Sequence, residues 1–155
     1  MKEFYNSIQE LVPHRPPLLL IQNILEADDQ GLRASVNTAD SGIFSAQDGK
    51  IPSYVGIEYM AQAISAWAGL AAKREGRPIQ LGFLLGTRRY HSQVAYFEAN
   101  TQLQVRVREM LRDETNLVLF DCQVLAGEQV LATAQIKAIQ PDNLDALLEQ
   151  SAEYI

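Results

Sequence analysis

The pattern of apolar and polar positions divides the chain into a small number of elements. Phe4 to Val12 alternates at helical spacing and stops at Pro13, which predicts a short amphipathic helix. The apolar run LLLIQNILEAD, residues 18–28, reads as a strand. The acidic turn Asp28-Asp29-Gln30-Gly31 returns the chain into LRASVNT, where Leu32, Ala34 and Val36 alternate with polar residues. Residues 39–52 read as a loop. A helix is predicted from Ser53, as N-cap, to Arg74, with Gly76 and Pro78 ending it.

Beyond that helix the period changes to two. Ile79 to Phe97 is long enough for a bent strand, with Gly82 and Gly86 as sites of irregularity. Leu103, Val105 and Val107 mark a second strand in TQLQVRVREML. NLVLFDCQVLA and QVLATAQIKAI follow, joined at Gly127-Glu128 as a hairpin. NLDALLEQSAEYI predicts a C-terminal helix over 143–155. The central helix is apolar on most sides, so it needs enclosure. A curved antiparallel sheet wrapped around it meets that need, giving an α+β fold in one domain spanning 1–155, with its core over about 10–140 and a helical tail over 141–155.

Composition narrows the function. A net charge of −6 and a pI near 4.9 leave no broad basic surface for nucleic acid. One cysteine, Cys122, excludes an internal disulfide framework and suits a reducing compartment; its strand setting makes it a core residue. No apolar run follows the N-terminal lysine, so no signal peptide is expected, and Tyr54 to Ala72 is interrupted by Glu58, Gln62 and Ser65, which a membrane span tolerates poorly. A cytoplasmic protein is expected.

Glu58, Gln62 and Ser65 form a narrow polar seam, at offsets of four and three, on an otherwise apolar helix. One reading is structural: Glu58 pairs with an arginine, and Gln62 satisfies buried backbone. The other is a carboxyl lining an acyl-binding cavity, oriented by Gln62 and tuned by its surroundings for proton transfer. Ser65 is assigned to structure. The free N–H groups near Ser53 and Gly56 would then hydrogen-bond a thioester carbonyl, with Gly56 admitting the substrate to the backbone.

A second catalytic group comes from a short search, since there are two histidines. His91 sits in a strand without motif context. His14 is held between prolines in LVPHRPPLLL, just before a core strand, and is the candidate. Two dispersed histidines and a single cysteine lack the spacing of a metal site.

LVPHRPPLLLIQNIL resembles the opening of 3-hydroxyacyl-acyl-carrier-protein dehydratases of the FabZ type, and GIEYMAQA resembles that family's E-A-M-A-Q stretch on the central helix. IQLGFLLGTRRYHSQVAYFEANTQLQVRV is similar to its following strand pair, so the resemblance runs over about residues 10–140. It implies a hot-dog fold, a catalytic Glu58, Gln62 beside it, no cofactor, and an acyl carrier protein as partner. It also implies a homodimer or higher homo-oligomer paired across an edge strand, with the two catalytic groups coming from different subunits. Arg88 and Arg89, with Arg15, are candidates for a basic lip facing an acidic carrier. The family's histidine loop G-H-F-P is missing: SGIFSAQDGKIPSYVG stands there, with Phe44 at the histidine's place, and Gln22 replaces the first strand's aspartate. That pattern is closer to the ApeP-like subgroup of aryl polyene clusters, in which His14 would supply the missing imidazole. The function expected is dehydration of a 3-hydroxyacyl thioester. A hot-dog thioesterase, or a non-catalytic acyl-binding subunit of a heteromeric dehydratase, stays open.

Overall fold

The computed structural model describes residues 8–78 and 82–139. Its strands and helix follow in the order β1 (Ile21–Ala27), β2 (Gly31–Asn37), β3 (Ile51–Pro52), α1 (Gly56–Arg74), β4 (Phe83–Ser92), β5 (Tyr96–Phe97), β6 (Gln102–Arg112), β7 (Leu117–Ala126) and β8 (Gln129–Ile139). Six strands form one antiparallel sheet in the order β1-β2-β6-β7-β8-β4, while β3 and β5 pair separately.

The period-two apolar positions face inward. Leu103, Val105 and Val107 of β6, Phe120, Cys122 and Val124 of β7, and Ala134 and Ile136 of β8 join one core with Tyr59, Met60, Ala63 and Leu70 of α1. Trp67 meets Phe120 edge to face at 5.6 Å, and its Nε1 donates to the Asp28 carbonyl at 2.9 Å. The sheet therefore encloses the helix, as expected. Burial pushes the Cys122 thiol up, in keeping with a core residue.

Several boundaries differ from expectation, each for a local reason. Residues 18–20 do not join β1, because Leu18 and Leu19 donate their N–H groups to the Arg15 carbonyl in a turn, and Leu20 donates to a helix side chain. Ser53 is not the N-cap: a 3-10 turn, Ser53–Val55, precedes α1, and Val55 takes the cap position without a side-chain bond. The stretch expected as one bent strand over 79–97 forms two strands in its described part, 82–97. Ser92 turns the chain by bonding the Val94 carbonyl at 2.7 Å, and β5 then pairs with β3. Gly86 does mark a register shift, and a second falls at Arg89, whose φ is 54°. The 39–52 loop holds two 3-10 turns and β3. Of the helix expected over Phe4 to Val12, a single 3-10 turn, Ile8–Glu10, forms, and Leu11 and Val12 follow it outside any helix; residues 4–7, and the helical tail over 141–155, lie outside the described residues.

Candidate active site

His14 reaches the helix because its segment is clasped on both sides. At Gly69 the helix approaches the Leu11 backbone so closely that an added Cβ would lie 2.1 Å from the Leu11 carbonyl oxygen. Farther along, Gln62 is fully buried and uses its whole hydrogen-bonding capacity. Its Oε1 accepts from Leu20 at 2.8 Å and Ile21 at 3.4 Å, and its Nε2 donates to the Leu18 carbonyl at 2.7 Å and to Glu58 Oε1 at 3.1 Å. Between the clasps, Arg15 Nη1 donates to the carbonyls of Val12 and His14 at 2.9 and 2.8 Å, closing the proline-bracketed turn on itself.

Gly69→Ala should therefore lift the segment carrying His14 away from α1. We expect a destabilisation of about 1–3 kcal/mol, read by thermal unfolding, together with a lower turnover than the wild type. An unchanged melting temperature and turnover would show that this close approach is unimportant.

The clasped turn delivers His14 Nε2 to within 3.6 Å of Glu58 Oε1, with the two side chains 28% and 43% exposed. Both groups of this pair belong to one chain, whereas the resemblance implies groups from two subunits. The histidine's position in the sequence explains this: the N-terminal turn lies along the same protomer's helix. Glu58 is half-exposed rather than deeply buried, and it has no arginine partner among the described residues. His14 Nδ1 is buried and has no hydrogen-bond partner among them, so no neighbour fixes the ring's tautomer.

The pair stands on a cavity of about 580 Å³ between the N-terminal segment, the helix and the sheet. Both Glu58 and Ala68 line it, so it extends about 15 Å along the helix at 1.5 Å per residue. Ala61, Ile64, Trp67, Val118 and Phe120 make its walls largely apolar, and Ser65 lies on the same face. Its volume suits a small-molecule or acyl ligand. Among the described residues no group of ligating side chains fits a metal ion.

The other site residues expected from sequence lie elsewhere. Gly56 is buried under Tyr90 and Phe97, where a Cβ would sit 2.5 Å from the Tyr90 hydroxyl, so its missing side chain serves packing instead of substrate approach. Ser53 donates its N–H to Ala95 at 3.0 Å and accepts from the Tyr90 hydroxyl at its carbonyl, and the Gly56 N–H is taken by carbonyls of Ser53 and Tyr54. Those two amides are therefore not free donors for a thioester. The Tyr90 hydroxyl, half-buried at this junction, is pushed up to about 12 by the loss of water around it. Arg88 and Arg89 are exposed on β4 and do not line the cavity, whereas Arg15 does. His91 is exposed on β4, apart from the pair. Sequence reasoning missed Gly69, whose only signal was a glycine inside a helix, and Arg112, which lines the cavity and reads as an ordinary strand charge.

Comparison with known proteins bears on the fold and the family. The solved dehydratase heterocomplex ApeI:P from Xenorhabdus doucetiae includes a chain 29% identical, matched over 94% of this chain and 97% of that one with a TM-score of 0.85. A mutant thioesterase from Pseudomonas aeruginosa shares the fold at 16% identity, over 88% of this chain and 87% of the other, with a TM-score of 0.59. A phenylacetic acid degradation protein from Thermus thermophilus does so at 9% identity, over 76% and 91%, with a TM-score of 0.57. No curated protein sequence matches the chain. No described helix is long and apolar enough to cross a membrane. The model of the ApeP dehydratases matches residues 6–149, nearly the whole chain, and the protein therefore belongs to the ApeP-like dehydratase family, with a hot-dog fold.

Proposed function

We propose that this chain converts a 3-hydroxyacyl thioester, carried on an acyl carrier protein in the cytoplasm, to the trans-2-enoyl thioester. The observation that carries this reading is the 3.6 Å approach of His14 Nε2 to Glu58 Oε1 on a largely apolar cavity. Neutral His14 removes a proton from C2. The electron pair of that C–H bond becomes the second bond between C2 and C3, and the C3–O bond breaks. Protonated Glu58 gives its proton to the departing hydroxyl, which leaves as water. His14 then holds one proton more and Glu58 one fewer. A single proton moving back across the gap between them resets the site. The starting and final forms differ only in where that proton resides, and the elimination is redox-neutral, calling on no cofactor.

The acyl chain lies along the helix, and Arg15 at the cavity offers a cation toward an acidic carrier. Hydrolysis by Glu58 alone needs no imidazole, so the placement of His14 favours elimination over a thioesterase reaction. A second reading is favoured by the heteromeric nature of the solved ApeI:P complex. In it, the open edge of β4 pairs with another hot-dog subunit, and this chain contributes its acyl cavity to a dehydratase whose catalysis resides in that subunit.

Purified protein given a 3-hydroxyacyl carrier-protein substrate, followed for both enoyl product and free thiol, tests these readings. Enoyl formation without thiol release is expected. Thiol release would mean hydrolysis, and enoyl formation seen only after adding a second dehydratase subunit would favour the heteromeric reading.

A further inference from the structure

The far end of the cavity contains a feature that alkyl-chain binding does not explain. Strand β6 places Leu103, Val105 and Val107 inward, and continued alternation would put Leu111 inward and Arg112 outward. The register shift between Glu109 and Leu111 reverses this. Glu109 pairs with buried Phe120, Leu111 with Leu119, and Arg112 with buried Val118. As a result Leu111 is 68% exposed, while Arg112, its side chain 42% exposed, lines the same cavity as Glu58. Hydrophobic burial alone favours the opposite arrangement, and bulges are a common means of re-aiming a side chain.

The guanidinium is also held in place. Its Nε donates to Glu109 Oε1 at 2.6 Å, and no described group bonds its two terminal nitrogens. A cavity meant for a methyl-ended chain gains nothing from a cation at its end, because an apolar terminus there partly dehydrates the charge without replacing its hydrogen bonds.

We propose that Arg112 is a specificity-determining residue whose free N–H groups receive an oxygen at the distal end of the acyl chain. This rests on the reading that acyl groups occupy the cavity, and it defines the substrate class as acyl chains bearing a terminal oxygen acceptor. Hydroxyl and carboxylate termini share that chemistry.

Binding separates this proposal from catalysis. Saturated acyl-pantetheine thioesters of one length, ending in methyl, hydroxyl or carboxylate, have no 3-hydroxyl to eliminate. Their binding is read by the fluorescence of Trp67, the chain's one tryptophan, which lies on the cavity wall. A hydroxyl- or carboxylate-ended thioester should bind at least about tenfold more tightly than the methyl-ended one, and the preferred terminus identifies the oxygen. Arg112→Met should erase the preference. Arg112→Lys, which keeps the charge but loses the planar fork, should weaken it. Equal binding of all three thioesters, no binding of any, or a preference that survives Arg112→Met would overturn the proposal. Dehydration without a terminal preference would leave the proposed reaction standing and remove the subsite; a preference without dehydration would do the reverse.

Discussion

Replacing His14 with alanine should lower enoyl formation by about 10²- to 10⁴-fold, the usual worth of a positioned acid or base, while barely moving the melting temperature. The ring is partly exposed, and its Nδ1 bonds no described residue, so removing it breaks no described hydrogen bond. The backbone of its turn is secured by Arg15, Gly69 and Gln62, all of which remain. Glu58→Gln should cost a similar factor. The amide keeps the shape of the acid and an oxygen for Gln62 to bond, but it has no proton to give to a leaving hydroxyl. Parallel thermal melts and steady-state rates check both variants. A variant that folds normally and turns over at the wild-type rate removes its residue from the reaction.

Gln62→Met should act on stability first. Methionine fills much the same volume but leaves the Leu20 and Ile21 N–H groups and the Leu18 carbonyl without their partner. The Leu20 and Ile21 bonds are buried, and each orphaned buried group costs about 1–3 kcal/mol, whereas Leu18 is exposed and its carbonyl turns to water. A total of about 2–6 kcal/mol is therefore expected against a typical folding stability of about 5–15 kcal/mol. For a chain of this size each kcal/mol lowers the melting temperature by about 2–4 °C, so the drop should be plain in a melting curve. Activity should fall as well, because the same amide holds Glu58 and the strand entrance beyond His14. Gln62→Glu distinguishes the two roles. It can still accept from Leu20 and Ile21, but as a carboxylate it cannot donate to Leu18 or Glu58, and it sets a second carboxyl against the first. A melting temperature for Gln62→Met equal to that of the wild type would contradict this role.

Where sequence and structure agree, local periodicity is the reason. The long helix, the strands with alternating Val and Leu, and the Gly127-Glu128 turn follow from side-chain spacing within a few residues. The polar seam was legible in the same way, and both roles weighed for Gln62 coexist: it satisfies buried backbone and also bonds Glu58. His14 stood out through its rigid proline setting. Contacts between distant residues were not legible. Gly56 looked open to substrate because nothing in its neighbourhood announces Tyr90, thirty-four residues away, and Ser53 lost its cap role to a 3-10 turn whose stability depends on the same tyrosine. The inward turn of Arg112 depends on a bulge that the period-two pattern hides, since Leu111 fits that pattern better. The arrangement of the catalytic groups across two subunits was inferred from enzymes whose histidine lies in the loop before the helix. Here that loop has none, and the histidine beside Glu58 is His14, from the N-terminal turn of the same chain.

The most direct test of His14 and Glu58 as one proton-transfer unit is a double-mutant cycle on kcat/KM for enoyl formation, using His14→Ala, Glu58→Gln and the double variant. Groups that act together lose their combined effect once either is removed. The double variant is therefore predicted to be about as slow as the slower single one. Losses that multiply, or a double variant as active as the wild type, would contradict the pair.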